Sequence, residues 1–251
     1  MHSTDKSMKT TGIIQARMGS SRLPGKVLMD LGGETVLSRV VHRLGRSDLL
    51  HEVMVATTLA CSDDAIIGEC RGLGVSCFRG SEEDVLDRYY RAAQVCGADV
   101  LVRITADCPL IDPALVDETI RVFHERRADY ANNTGARSYP RGLDTEVFSR
   151  PALERAWREA GKPYEREHVT PYFYEHPELF RVASADGRED HGQYRWTLDT
   201  PEDLELIRAL YLRFENRDDF TWTQAIAVME QEPKLRELNS HILQKSLHGG
   251  G

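Results

Sequence analysis

From Gly12 to about residue 128 the chain repeats one pattern, a short apolar run followed by a stretch with apolar residues at helical spacing. The runs GIIQA, VMVATT, SCFRG and LVRITA read as strands. Between them, ETVLSRVVHRL places Leu37, Val40, Val41 and Leu44 on one helical face, and EEDVLDRYYRAAQVCG does the same for Val85, Tyr89 and Ala92. Ser62 and Ser81 are placed to cap the second and third helices. Asp112 followed by Pro113 reads as a cap and a first-turn proline, opening a helix through LVDETIRVFHERR. Strands that alternate with helices pair in parallel, because each crossover helix carries the chain back and covers one face of the sheet. The expected architecture is therefore α/β: a mostly parallel, doubly wound sheet in a three-layer α/β/α sandwich.

The regularity loosens after residue 128. We expect an inserted arm at about 130–195, containing the helix PALERAWREA and two further strands, RVASADG and YRWTLD, of antiparallel type. Thr200 and Pro201 then open a strong helix, PEDLELIRALYLRF. A chain of 251 residues suits one domain of this kind, expected over 11–245, with flexible ends at 1–10 and 246–251. No apolar run approaches the roughly 20 residues of a membrane span, and MHSTDKSMKT does not resemble a secretory signal. The five cysteines (Cys61, Cys70, Cys77, Cys96 and Cys108) form no CxxC spacing, which fits reduced thiols in the cytoplasm better than disulfides or zinc. A net charge of -8 argues against nucleic acid as a partner, since clustered basic surface supplies most of that affinity. A small polyanion remains compatible with it.

The basic residues are unevenly spread. Six of the 32 are lysine and 26 are arginine, and Lys26 is the only lysine in the stretch 10–161. It closes IIQARMGSSRLPGKVL, which follows the first strand, where an open α/β sheet places its ligand crevice. Gly19, Ser20, Ser21 and Gly25 permit close backbone approach, and Arg17, Arg22 and Lys26 put three positive charges within ten residues. The set suits a triphosphate. It matches neither GxxxxGK[ST] nor GxGxxG, and a Gly-Ser surface loop with solvated arginines has the same composition.

Two aspartates stand at strand ends. Asp107 in RITADCPLIDP follows an apolar strand directly, where a carboxylate projects into the crevice and suits Mg2+, a hard cation that bridges phosphates; a strand-terminating turn residue is the structural alternative. Cys108 beside it reads as packing, and Asp112 as the helix cap. Asp199 in WTLDTPEDL ends a strand before a capped helix, with Asp203 as favourable charge in its first turn.

In PRGLDTEVF, alternation puts Asp144, Glu146 and Phe148 on one side of an extended segment, facing either an acceptor or solvent, and Arg141 is placed for an anionic acceptor. EREHVTPYFYEHPELF carries His168 and His176; His168 is a candidate base or acceptor-orienting group, a core histidine being the other reading for both. No HExxH spacing supports zinc.

The motifs ARMGSSRLPGKVL, RGSEEDVLDRYY, RITADCPLIDP, PRGLDTEVF, REHVTPYFYEHPE and WTLDTPEDL, in this order over residues 12–210, resemble the bacterial sugar cytidylyltransferases of the CMP-Kdo and CMP-acylneuraminate synthetase group. Within it they look most like the SpsF branch, named after a spore coat polysaccharide biosynthesis protein. The resemblance implies a nucleotide-diphospho-sugar transferase-like fold and transfer of CMP from CTP to a sugar acid or related small acceptor, with release of pyrophosphate. It implies CTP contacts from Ala16, Arg17, Gly19, Ser20, Ser21, Arg22, Lys26, Gly80 and Ser81, with Asp84 also near the nucleoside. Arg17, Lys26 and Asp107 would carry catalysis, and Asp107 and Asp199 would hold Mg2+. Arg141, Asp144, Glu146 and His168 would meet the acceptor, and the arm would join two subunits of a homodimer. Ala106 stands where the group often has glycine. The competing readings are a nucleotide-sugar-dependent glycosyltransferase and a nucleotide-binding module without turnover.

Overall fold

The computed structural model describes residues 8–244; the ends expected to be flexible at 1–7 and 246–251 lie outside them. The flexibility expected over 1–10 does not extend to Lys9 and Thr10. Lys9 donates from its backbone N to Asp99 at 3.0 Å and pairs with Glu52 at 2.6 Å, and Thr10 begins the first strand.

The strands are β1 (Thr10–Gln15), β2 (Glu52–Thr58), β3 (Ser76–Gly80), β4 (Val100–Thr105), β5 (Tyr130–Asn132), β6 (Glu146–Ser149) and β7 (Val182–Ser184). They form one seven-stranded sheet in the order β3-β2-β1-β4-β6-β5-β7. The first four are mutually parallel; β6 runs antiparallel to β4 and β5, and β7 is parallel to β5. The segment expected as an arm thus contributes three strands to the main sheet. The antiparallel member is β6, not the RVASADG strand, and YRWTLD forms no regular strand. Its backbone bonds are divided between two neighbours: Trp196 N donates to Arg141 O at 2.7 Å, and Leu198 N to Asp107 O at 2.8 Å.

Helices α1 (Val36–Leu44), α2 (Asp64–Leu73) and α4 (Pro113–Glu125) cover one face, and α3 (Val85–Cys96), α5 (Arg150–Glu159), α6 (Pro163–His168) and α7 (Pro171–Glu175) the other.

 The helix α5 runs over Arg150–Glu159 and opens on Ser149, whose hydroxyl accepts from Ala152 N at 3.2 Å. Strand alternation divides the core accordingly. Ile14, Val55, Val102 and Ile104 pack with Leu37, Val40, Val41 and Leu44, as the helical spacing predicts, while Ile13, Met54 and Leu101 pack with Val85, Tyr89 and Ala92. The aromatic residues Tyr172, Phe173 and Phe180 belong to the second group, so they serve the core of this chain. A third cluster around Trp196, Leu198, Ile207 and Leu210 docks α8 (Pro201–Arg213) and α9 (Trp222–Gln231), with α10 (Pro233–Glu237) following.

The capping residues follow expectation in part. Asp112 accepts from Ala114 N, and Thr200 and Asp203 form a capping box on α8. Asp84, not Ser81, caps α3, and the Ser81 hydroxyl accepts from Asp84 N one turn earlier. Asp63, not Ser62, occupies the N-cap position of α2, and its side chain serves another purpose described below.

Gly142 fixes the extended segment that carries Asp199. Its φ is +107°, and a Cβ there would lie 2.5 Å from the backbone carbon of Trp196. Both strain and overlap with immovable backbone oppose any side chain. Gly142→Ala is expected to lose about 3 kcal/mol of stability, read as a lowered urea midpoint; an unchanged midpoint would show that the segment shifts freely.

Candidate active site

The carboxyl ends of β1 and β4 open into a cavity of about 320 Å³ whose walls include Gln15, Arg17, Gly19 to Arg22, Lys26, Thr105, Ala106, Asp107, His168 and Asp199. The phosphate-type loop, both strand-end aspartates and His168 therefore meet in one place, although they come from distant parts of the sequence.

Local geometry explains the position of Lys26. Gly25 N donates to Met18 O at 3.0 Å, closing the loop, and Gly25 adopts φ +72°, which lets a 3-10 turn over Lys26–Leu28 begin immediately. Lys26 is thereby directed inward and largely buried. Its Nζ donates to Asp107 Oδ2 at 2.9 Å, to Asp199 Oδ1 at 2.8 Å and to the Leu198 carbonyl at 2.8 Å. Burial opposes its charge, but the two carboxylates outweigh that penalty and hold its pKa above the ordinary lysine value. The cation that the two aspartates require is thus, first of all, Lys26 itself.

Asp107 and Asp199 are brought together by the Leu198 N bond to Asp107 O. Asp107 Oδ1 also accepts from Thr105 Oγ1 at 2.6 Å. Asp199 Oδ2 is flanked by Arg22 at 2.9 Å and Arg195 at 2.7 Å. Burial favours its neutral form, yet Lys26, Arg22 and Arg195 prevail and lower its pKa. Arg195 is in turn locked on Asp203, at 3.0 Å, so Asp203 does more than complement the helix terminus. Cys108 is buried, and burial followed by the charge of Asp107 pushes its thiol pKa well up, which leaves it a neutral packing group.

One anchoring residue was not apparent in the sequence. Asp63, nearly inaccessible, accepts from Met18 N at 2.8 Å with Oδ1 and from Thr57 Oγ1, Thr58 N and Thr58 Oγ1 with Oδ2, tying the loop to the end of β2. Burial opposes its ionisation, but these donors lower its pKa. The available signal was a carboxylate soon after a strand ending in two threonines. Thr57, at the end of β2, commits its hydroxyl to this carboxylate at 3.0 Å. Asp63→Asn is expected to cost about 2 kcal/mol at pH 7. The wild-type contribution is complete above the ordinary aspartate pKa of about 3.9 and is lost as pH falls through the lower folded value, so the variant's stability should change less with pH on the acid side. Denaturant titrations of both proteins from pH 7 to pH 2 measure this; parallel curves would contradict it.

The other candidates lie elsewhere. Arg17 reaches the cavity and makes a 3.6 Å pair with Glu82 at the rim. Ala16 is buried behind the loop, its N bonded to Ala56 O at 3.1 Å. Gly80 and Ser81 line a neighbouring open groove with Arg79 and Glu82, and Asp84 is bound by Arg166. Arg141 lines a separate cavity of about 150 Å³ with Arg195 and Arg236. Asp144 pairs with Arg137 at 2.6 Å. Glu146 faces neither an acceptor nor solvent: it is buried, paired with Arg103, and accepts from the Tyr130 hydroxyl at 2.6 Å. Of the four acceptor candidates, only His168 lines the main cavity.

Asp107 and Asp199 also bear on a divalent metal. Among the described residues no cluster of three acidic, histidine or cysteine side chains forms a protein-only cage. Two converging carboxylates beside a phosphate-type loop do fit a hard cation that completes its shell with phosphate oxygens and water.

The family model described as Cytidylyltransferase matches residues 11–234. The spore coat polysaccharide biosynthesis protein SpsF of Bacillus subtilis is 38% identical over 228 residues, covering 88% of this chain and 94% of that protein. A cytidylyltransferase structure from Leptospira borgpetersenii superposes with a TM-score of 0.89 at 36% identity, covering 94% of this chain and 100% of the other. A CMP:2-keto-3-deoxy-manno-octonic acid synthetase complexed with CTP gives a TM-score of 0.62 at 20% identity over 82% of this chain and 99% of that one, a likeness of fold.

Proposed function

Because this chain belongs to the cytidylyltransferase family, in its SpsF-like branch, we propose that the cavity at the ends of β1 and β4 binds CTP and that an acceptor oxygen attacks its α-phosphorus there. The new bond joins the acceptor to CMP, the bond to the β-phosphate breaks, and pyrophosphate leaves with its electron pair. The chain is a CTP-dependent nucleotidyltransferase, and its likeness to SpsF connects it with polysaccharide biosynthesis.

The observation that carries this reading is the Lys26 ammonium between Asp107 and Asp199, directly beside the Arg17 to Arg22 loop. Phosphoryl transfer gains most from fixed positive charge at the phosphoryl oxygens, and a lysine supplies it as a compact point. Arg17 and Arg22 extend that charge along the triphosphate, with the Gly19 to Ser21 backbone allowing close approach. Asp107 and Asp199 are the residues that would hold Mg2+, which when bound neutralises triphosphate charge and orients the phosphates. His168, at the end of α6, is the acceptor-side residue of this site.

The acceptor is a sugar acid or a related small anion in this reading. Homodimerisation and a cytoplasmic location complete it; the first rests on the resemblance, the second on the cysteine pattern. Among the described residues all five cysteines are free, and no helix is long and apolar enough to cross a membrane.

The reading is tested by supplying CTP, ATP, GTP or UTP with Mg2+ and a panel of sugar acids, and measuring pyrophosphate. Release with CTP in preference to the others is expected. Equal release from all four nucleotides would remove the cytidylyl assignment.

A further inference from the structure

The Arg103 and Glu146 pair is largely buried beside the cavity-lining Gln15, and an ion pair there is poor evidence of a stabilising role, because removing two charges from water costs about what their attraction returns. Its geometry suggests another purpose. In the β1 to β4 register Ile13 lies opposite Arg103 and Gln15 opposite Thr105, so Gln15 and Arg103 share the α3 face of the sheet as diagonal neighbours. Arg103 lies opposite Glu146 across β4 and β6. Glu146 holds one end of the guanidinium and is itself held by the Tyr130 hydroxyl; the other end of the guanidinium donates to Gln15 Oε1 at 3.3 Å.

A guanidinium has donors and no acceptor. Gln15 therefore turns its carbonyl oxygen to Arg103, which leaves the Nε2 donors for the cavity that Gln15 lines. We infer that Gln15 is a substrate contact whose carboxamide, held oxygen-first by Arg103 and Glu146, donates an N–H to an oxygen of bound CTP. Gln15 touches the substrate; Arg103, Glu146 and Tyr130 are positioning residues. Glu146 thus takes part in the site through Arg103 and not by meeting an acceptor. The inference rests on the CTP reading above.

Calorimetric titration of the full chain with CTP and Mg2+ tests it. Gln15→Glu keeps an oxygen for Arg103 and opposes a second to the ligand oxygen, so CTP should bind about tenfold more weakly; Gln15→Met removes the donor and should cost about threefold. Cytidine as a second probe locates the partner: an effect on CTP alone places it on the triphosphate, and an effect on both places it on the nucleoside. Melting temperatures of the free variants should stay close to that of the wild type.

The positioning role is read separately. Arg103→Met with Glu146→Leu removes both charges together, which leaves no unpaired partner of that pair. On this background the cost of Gln15→Glu should shrink by about threefold, a coupling that a merely structural pair would not show. Wild-type protein that fails to bind CTP overturns the functional reading and this contact with it. Wild-type protein that binds CTP while both Gln15 variants bind it within about twofold overturns the Gln15 contact alone.

Discussion

Lys26→Met is expected to lower kcat/KM for pyrophosphate release by about a thousandfold while leaving a folded protein. The size follows from removing a fixed charge that acts on developing phosphoryl charge in a site partly closed to water. The fold survives because each carboxylate keeps another partner, Thr105 for Asp107 and both Arg22 and Arg195 for Asp199. Loss of the buried contacts should still cost about 2 kcal/mol, visible as a modest drop in the denaturant midpoint. Lys26→Arg is not expected to rescue the rate, since a planar fork cannot place one charge among three acceptors that now surround a single nitrogen. Steady-state kinetics beside a denaturation curve separate the two effects. A Lys26→Met enzyme within tenfold of wild type would show that the lysine is structural.

Asp107→Asn carries the second large effect. Asp107 is tied to the protein by Lys26, Thr105 and its own backbone, so an isosteric amide preserves the packing and removes the charge. We expect kcat to fall by about 10²- to 10³-fold and the Mg2+ concentration for half-maximal rate to rise, since one of two carboxylates available to the metal has been lost. Titrating Mg2+ at saturating CTP measures both. A normal Mg2+ dependence with a normal rate would make Asp107 the strand-terminating turn residue that its position alone also permits.

These two residues illustrate what sequence alone reveals in such a fold. Strand and helix periodicity from Gly12 to residue 128 predicts β1 to β4 and the faces of α1 and α3, because each element there buries one side against a continuous sheet. The loop residues and both aspartates were legible because they follow apolar strands directly, and strand ends are where such a sheet exposes its ligand crevice. Residues 130–199 were harder. Their strands are only three or four residues long, and Tyr194 to Asp199 divides its backbone bonds between two neighbours, so period 2 has too little length to declare itself.

The interactions that hold the site were the least legible. Asp63 reaches Met18 across 45 residues, and Lys26 reaches Asp199 across 173. Glu146 reads as alternating charge on an exposed edge, yet it is buried because Arg103 and Tyr130 from adjacent strands satisfy it. No local pattern encodes such partners, since they meet only when the sheet order places β4 between β1 and β6.

The central claim, transfer of CMP from CTP to an acceptor, is tested most directly by following the label from CTP carrying ³²P at the α or the γ position, with Mg2+ and the sugar-acid panel. The α label is predicted to appear in an acceptor-linked product while the γ label leaves as pyrophosphate, in equal amounts. Saturable CTP binding in which neither label moves, whatever the acceptor, would contradict the account.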